Sequence, residues 1–195
     1  MAKKLFSKSV IASQMVNTYR LEITEFTKQH FIEAVAIEGL SNLSLNKTSF
    51  DPTDLVLVKE CKSLETLSIS SPKVKVPLTA LESISGMPIK FLTLRCMEIT
   101  DQDLKAFPSF PKLITLDLGG NLIKGDGLSY VAKACPQLEW LGLPTASNND
   151  FDDPIVASHL IDALKSFKHL ETIQIDSENT SIVDAVNAYG KVEVQ

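Results

Sequence analysis

Leu113-Ile114-Thr115-Leu116-Asp117-Leu118-Gly119-Gly120-Asn121-Leu122-Ile123 places apolar anchors at its first, fourth, sixth and eleventh positions and an asparagine at its ninth. Anchors four and six have the two-residue period of a strand with one buried face. The pattern recurs. Looser copies read Val16, Tyr19, Leu21, Thr24, Phe26; Leu40, Leu43, Leu45, Thr48, Phe50; Leu64, Leu67, Ile69, Pro72, Val74; and Ile89, Leu92, Leu94, Met97, Ile99. Beyond the complete copy come Leu138, Leu141, Leu143 and Leu170, Ile173, Ile175. Successive copies start 24, 24, 25, 24, 25 and 32 residues apart. A stride this regular marks one supersecondary unit used again and again.

On these residues the chain resembles the leucine-rich repeat family from about Val16 onward. The phrases Cys61-Lys62-Ser63-Leu64 and Cys135-Pro136-Gln137-Leu138 are similar to its cysteine-containing and ribonuclease-inhibitor-type members. The resemblance implies an α/β solenoid of about seven repeats, with a curved parallel sheet on the concave side and helices on the convex side. Only Asn121 supplies the asparagine that would bind backbone at the turn after a strand; Thr, Pro or Met stands in other copies.

Helical spacing fills the intervals. Leu128, Val131, Ala132 and Cys135 fall at i, i+3, i+4 and i+7, and Leu160, Leu164 and Phe167 form a similar stripe. Shorter stripes occur at Phe31 and Val35; Leu55, Val58 and Cys61; Leu78, Leu81 and Ile84; and Leu104 and Phe107. Helices are wider than the ~4.8 Å spacing of strands, so stacking such units predicts an arc. The organisation read from the sequence is a single domain over residues 1–195. Residues 1–15 form an N-terminal cap with an added strand near Val10 and Ile11. Residues 16–177 form the repeats, and residues 178–195 a C-terminal cap. The tail carries Ile182, Val183, Ala185 and Val186 in helical spacing, then Val192-Glu193-Val194 as a last short strand. It suits the covering of a final open core, so the chain is expected to be complete.

With 195 residues, 44% hydrophobic composition and a net charge of −5, the chain suits a soluble, monomeric, non-membrane protein. Ser7, Lys8, Ser9 and Ser13 interrupt what would be the apolar centre of a secretory leader. The three cysteines fit a reducing, cytoplasmic setting. Cys61 and Cys135 share a slot held elsewhere by Ile37, Gly86, Phe110 and Phe167, which marks it as a packing position.

Catalytic, cofactor-binding and metal-binding residues are not expected. His30, His159 and His169 are the only histidines, and neither a nucleophile elbow nor a phosphate loop occurs. Gly119-Gly120-Asn121 and Gly125-Asp126-Gly127 read as turn chemistry closing a strand and opening a helix. The long last step carries an acidic insertion, 146–154. Its Asn148, Asn149, Asp150, Asp152 and Asp153 do not match a calcium loop. They fit a solvated loop in which Asp152 or Asp153 caps a helix ahead of Pro154. Sequons at Asn42, Asn46 and Asn179 matter only after secretion.

The expected function is protein–protein recognition through the open sheet face. Positions three, five and seven of each copy should point away from the core. Position three gives Thr18, Asn42, Thr66, Phe91, Thr115, Trp140 and Thr172. Position five gives Arg20, Ser44, Ser68, Thr93, Asp117, Gly142 and Gln174, and position seven Glu22, Asn46, Ser70, Arg95, Gly119, Pro144 and Asp176. Phe91 and Trp140 stand out, with Thr115 between them and Arg95 and Asp117 close by; Arg20 and Gln174 complete the candidate partner-binding set. Exposed aromatics beside a charge pair are what an interaction hot spot needs. The overall acidity and the isolation of Arg20 and Arg95 argue against nucleic acid. The alternatives are a structural or assembly subunit of a larger complex, and a repeat protein of the bacterial effector type.

Overall fold

The computed structural model describes residues 10–15, 18–23, 28–46, 51–70, 77–144, 155–175 and 179–195. It is α/β, with a single open sheet compatible with a solenoid. The strands are β1 (Val10–Met15), β2 (Thr18–Ile23), β3 (Leu40–Asn46), β4 (Thr66–Ser70), β5 (Phe91–Arg95), β6 (Thr115–Asp117), β7 (Trp140–Gly142), β8 (Thr172–Gln174) and β9 (Glu193–Val194). They lie side by side in chain order, and every neighbouring pair from β2 to β9 is parallel.

The first pair is the exception to a parallel sheet. β1 runs antiparallel to β2, Val10 opposite Ile23 and Met15 opposite Thr18. Only two residues separate these strands in sequence, too few for the crossover that parallel pairing requires.

From Leu40 on, all described anchors are buried, among them Leu43, Leu45, Leu67, Ile69, Leu92, Leu94, Leu116, Leu118, Leu141 and Ile173. Thr48, Phe50, Pro72 and Val74 lie outside the described residues. The two residues between anchors one and four break simple alternation, and the backbone shows how. The N–H groups of Lys90 and Phe91 both donate to Glu65 O, those of Ile114 and Thr115 to Lys90 O, and those of Glu139 and Trp140 to Ile114 O. Those of Glu171 and Thr172 share Glu139 O in the same way. Two residues facing one acceptor make a bulge-like step at each strand's start, which lets three-residue spacing return the next anchor to the core.

The first copy is out of register with its sequence alignment. Leu21 pairs with Leu43 and Ile23 with Leu45, so Arg20 lies opposite Asn42, in the position-three column rather than position five. A two-residue slip keeps every side chain on its own face, so alternation alone does not detect it.

On the other side of the sheet lie the crossovers. They are α1 (Lys28–Val35), α2 (Asp101–Leu104), α3 (Leu128–Ala134), α4 (Ala157–Leu164) and α5 (Thr180–Tyr189), with 3-10 helices at Pro52–Glu60 and Leu78–Ile84. The 3-10 helices are those whose apolar residues repeat every third position: Leu55, Val58, then Cys61 at the C-cap, and Leu78, Leu81, Ile84. At three residues per turn these eclipse and form one buried stripe. In α3 the mixed three-and-four spacing of Leu128, Val131 and Ala132 suits 3.6 residues per turn, and all three are buried.

α4 starts later than expected. Its N-cap is Val156, with no side-chain cap, and the Val156 N–H donates to Lys124 O at 2.9 Å. The acidic cap expected at Asp152 or Asp153, with the rest of the 146–154 insertion, lies outside the described residues. The helix ends at Leu164, so Phe167 of the expected stripe lies beyond it.

Polar side chains brace the central turns. Asn121, fully buried, accepts from Met97 N (2.9 Å) and Ile99 N (3.2 Å) and donates to Leu94 O (2.7 Å) and Leu118 O (2.8 Å). One amide thus ties two successive turns, using both its donors and its acceptor. Asp101 accepts from three backbone N–H groups of the next turn, those of Lys124, Gly125 and Gly127, at 2.7, 3.1 and 2.7 Å.

Candidate functional site

The face of the sheet opposite the crossovers carries the expected columns. Phe91, Thr115, Trp140 and Thr172 stand in register on β5 to β8, followed by Glu193 on β9. Thr93, Asp117, Gly142 and Gln174 form the neighbouring column. Phe91 and Trp140 are two strands apart, about 10 Å. Phe91 is 42% exposed, while Trp140 is half-buried.

Two glycines explain the posture of the larger side chains. A Cβ at Gly142 would lie 2.7 Å from Cη2 and 2.9 Å from Cζ3 of Trp140, so the indole folds down along its own strand onto Gly142. The indole N–H points to Gln195 Oε1 at 3.5 Å. A Cβ at Gly119 would sit 3.1 Å from the Arg95 guanidinium, which rests over that residue. Gly119 and Gly142 are accordingly buried rather than open, as are Ser44 and Pro144. Contrary to expectation, not every position of the three columns is open: the Trp140 indole lies across Gly142 and the Arg95 guanidinium across Gly119.

Asp117 sits between the two. Its Oδ2 is 3.4 Å from Arg95 Nη1, and its Oδ1 accepts from Gly119 N at 2.9 Å. Oδ1 would also be 3.1 Å from a Cβ on Gly142, so carboxylate and indole border the same glycine. Arg95, Asp117, Trp140 and Thr115 are thereby brought together, and Gln174, exposed on β8, lies opposite Gly142. Arg20 is not: three strand spacings, roughly 14 Å, separate its backbone from Phe91.

The position-two residues were not among the candidates. Along the rim where the strands begin run Glu65, Lys90, Ile114, Glu139 and Glu171, and the backbone N–H of each from Lys90 on donates to the carbonyl of the one before. Lys90 Nζ meets Glu65 at 2.8 Å, whereas Glu139 and Glu171 are exposed without a cation in ion-pair range among the described residues. Three-residue anchor spacing was the available signal, since it leaves two outward residues rather than one.

Cys61 and Cys135 behave as packing. Burial pushes the Cys61 thiol up to about 11 and the Cys135 thiol up to about 12. Phe110 fills the same slot, while at Gly86 the slot is empty and borders a depression of ≈ 330 Å³ between Lys59, Lys62, Glu82 and Met87. No helix among the described residues is long and apolar enough to cross a membrane.

No protein-family model matches the chain. It is 30% identical over 129 residues to Receptor like protein 23 of Arabidopsis thaliana, a receptor-like protein of a leucine-rich repeat family. That match covers 60% of this chain and 14% of the relative's length.

Proposed function

We propose that this protein is a leucine-rich repeat solenoid that recognises a protein partner with the concave face of its sheet and catalyses no reaction. The observation that carries the reading is the Trp140, Asp117 and Arg95 group, held in place over Gly142 and Gly119 beside exposed Phe91. Side chains fixed before binding lose little entropy on association, and aromatic and arginine groups dominate hot spots. Three free thiols favour a reducing, cytoplasmic setting.

The test is affinity capture with wild-type protein and the variants Trp140→Ala and Phe91→Ala, each checked for native circular dichroism. Loss of the same captured protein from both variants is the expected result; capture indifferent to both rules out this face. An assembly role is the second reading, favoured by Ile32 and Val56, 45% and 48% exposed on adjoining crossovers. Light scattering showing a monomer over a wide concentration range would remove it.

A further inference from the structure

We infer that the C-terminal half of the sheet face seats a cationic side chain, arginine or lysine, from a basic segment of the partner protein, with the Trp140 indole as its platform. This rests on the reading of the sheet face as the binding surface and specifies the chemistry of its partner.

The argument begins with the indole. Folded onto Gly142, it sits beside the Asp117 carboxylate and keeps part of its surface open to solvent. The negative face of an indole attracts a guanidinium or ammonium group placed over it. Such an attraction is weak when isolated and grows when carboxylates share the cation.

Charge is distributed to match. Glu139 precedes Trp140 in the chain, Glu171 N donates to Glu139 O at 2.9 Å, and Glu193 N donates to Glu171 O at 2.8 Å. These three residues therefore stand at the starts of adjacent strands, their backbones within about 10 Å of one another. All three are exposed, and none has a cation in ion-pair range among the described residues. Asp117 is already offset by Arg95. Of the lysines in the last two repeats, Lys165 pairs with Asp162, Lys191 lies 5.7 Å from the Tyr189 ring, and exposed Lys168 makes no ion pair with these glutamates. The opposite end of the rim differs, because Glu65 there is matched by Lys90. The surplus negative charge thus lies around the tryptophan and not along the whole edge.

Trp140 is the sole tryptophan, so its emission reports on this place alone. The experiment titrates the full chain at low salt with capped peptides of alternating Arg-Gly, Lys-Gly and Glu-Gly. Saturable change of emission with the Arg peptide is expected, weaker with Lys and none with Glu. Glu139→Gln with Glu171→Gln should weaken the Arg peptide about tenfold, and Glu65→Gln less than twofold. Equal response to the Glu peptide, no saturable response to Arg, or equal weakening by Glu65→Gln overturns the assignment. If capture of the native partner still depends on Trp140 and Phe91, that failure falls on the cation seat alone. If capture ignores both residues, the face itself is wrong.

Discussion

The half of the sheet made by β3 and β4 and the half made by β5 to β8 rest on the same buried anchors, yet differ above and below. The first half shows Asn42, Thr66, Ser68 and Ser70 on its face and packs on 3-10 crossovers. The second shows Phe91, Arg95, Asp117 and Trp140, and beneath it Asn121 and Asp101 tie successive turns together. The leucine pattern makes both halves a sheet; the residues between leucines decide which half holds a rigid group of large side chains. Our account places recognition on the braced half.

The largest expected effect is on the brace. Asn121→Ala removes four hydrogen bonds and leaves buried backbone groups without partners, each costing about 1–3 kcal/mol, so a total loss of roughly 4 kcal/mol is expected. Urea unfolding measures it, with Ser68→Ala on the other half shifting stability by less than about 0.5 kcal/mol. Similar losses from the two variants would erase the distinction between halves.

A smaller effect should follow from Gly142→Ala. The new Cβ displaces the indole, a flexible side chain, so stability should fall by less than about 1 kcal/mol. The tryptophan emission maximum should shift and partner affinity drop severalfold. Unchanged emission would mean that the glycine does not set the posture of the ring.

The least perturbing comparison uses the two thiols that share one slot. Desolvation raises Cys61 to about 11 and Cys135 to about 12, so both stay protonated at pH 8. Labelling in the native state should be slower than for an open thiol by roughly a hundredfold at Cys61 and a thousandfold at Cys135. Because folding raises these values above the ordinary thiol value of 9.0, their contribution to stability is complete below pH 9 and is lost as pH climbs toward 11 and 12. Equal, fast labelling of both would show that the slot is open.

Much of this was legible in the amino-acid order. From Leu40 on, each described anchor is buried because burial of one strand face demands apolar residues at fixed spacing. Register at the first copy was not legible, since a two-residue slip leaves the same faces buried. The 3-10 character of Leu55–Val58–Cys61 and Leu78–Leu81–Ile84 was written in their strict period of three, which a search for any helical stripe does not separate from α spacing. At the site, columns of residues follow from strand geometry, but the fall of Trp140 onto Gly142 and of Arg95 onto Gly119 depends on a missing Cβ two residues along or one strand away. The clasp of Asp101 on backbone more than twenty residues ahead carries no local motif at all.

The most direct test measures the equilibrium affinity of the captured partner for Trp140→Ala and, in parallel, for Ser68→Ala. The account predicts a loss of about 2 kcal/mol, roughly thirtyfold, for the first and less than twofold for the second. Equal affinities for the two variants would contradict it.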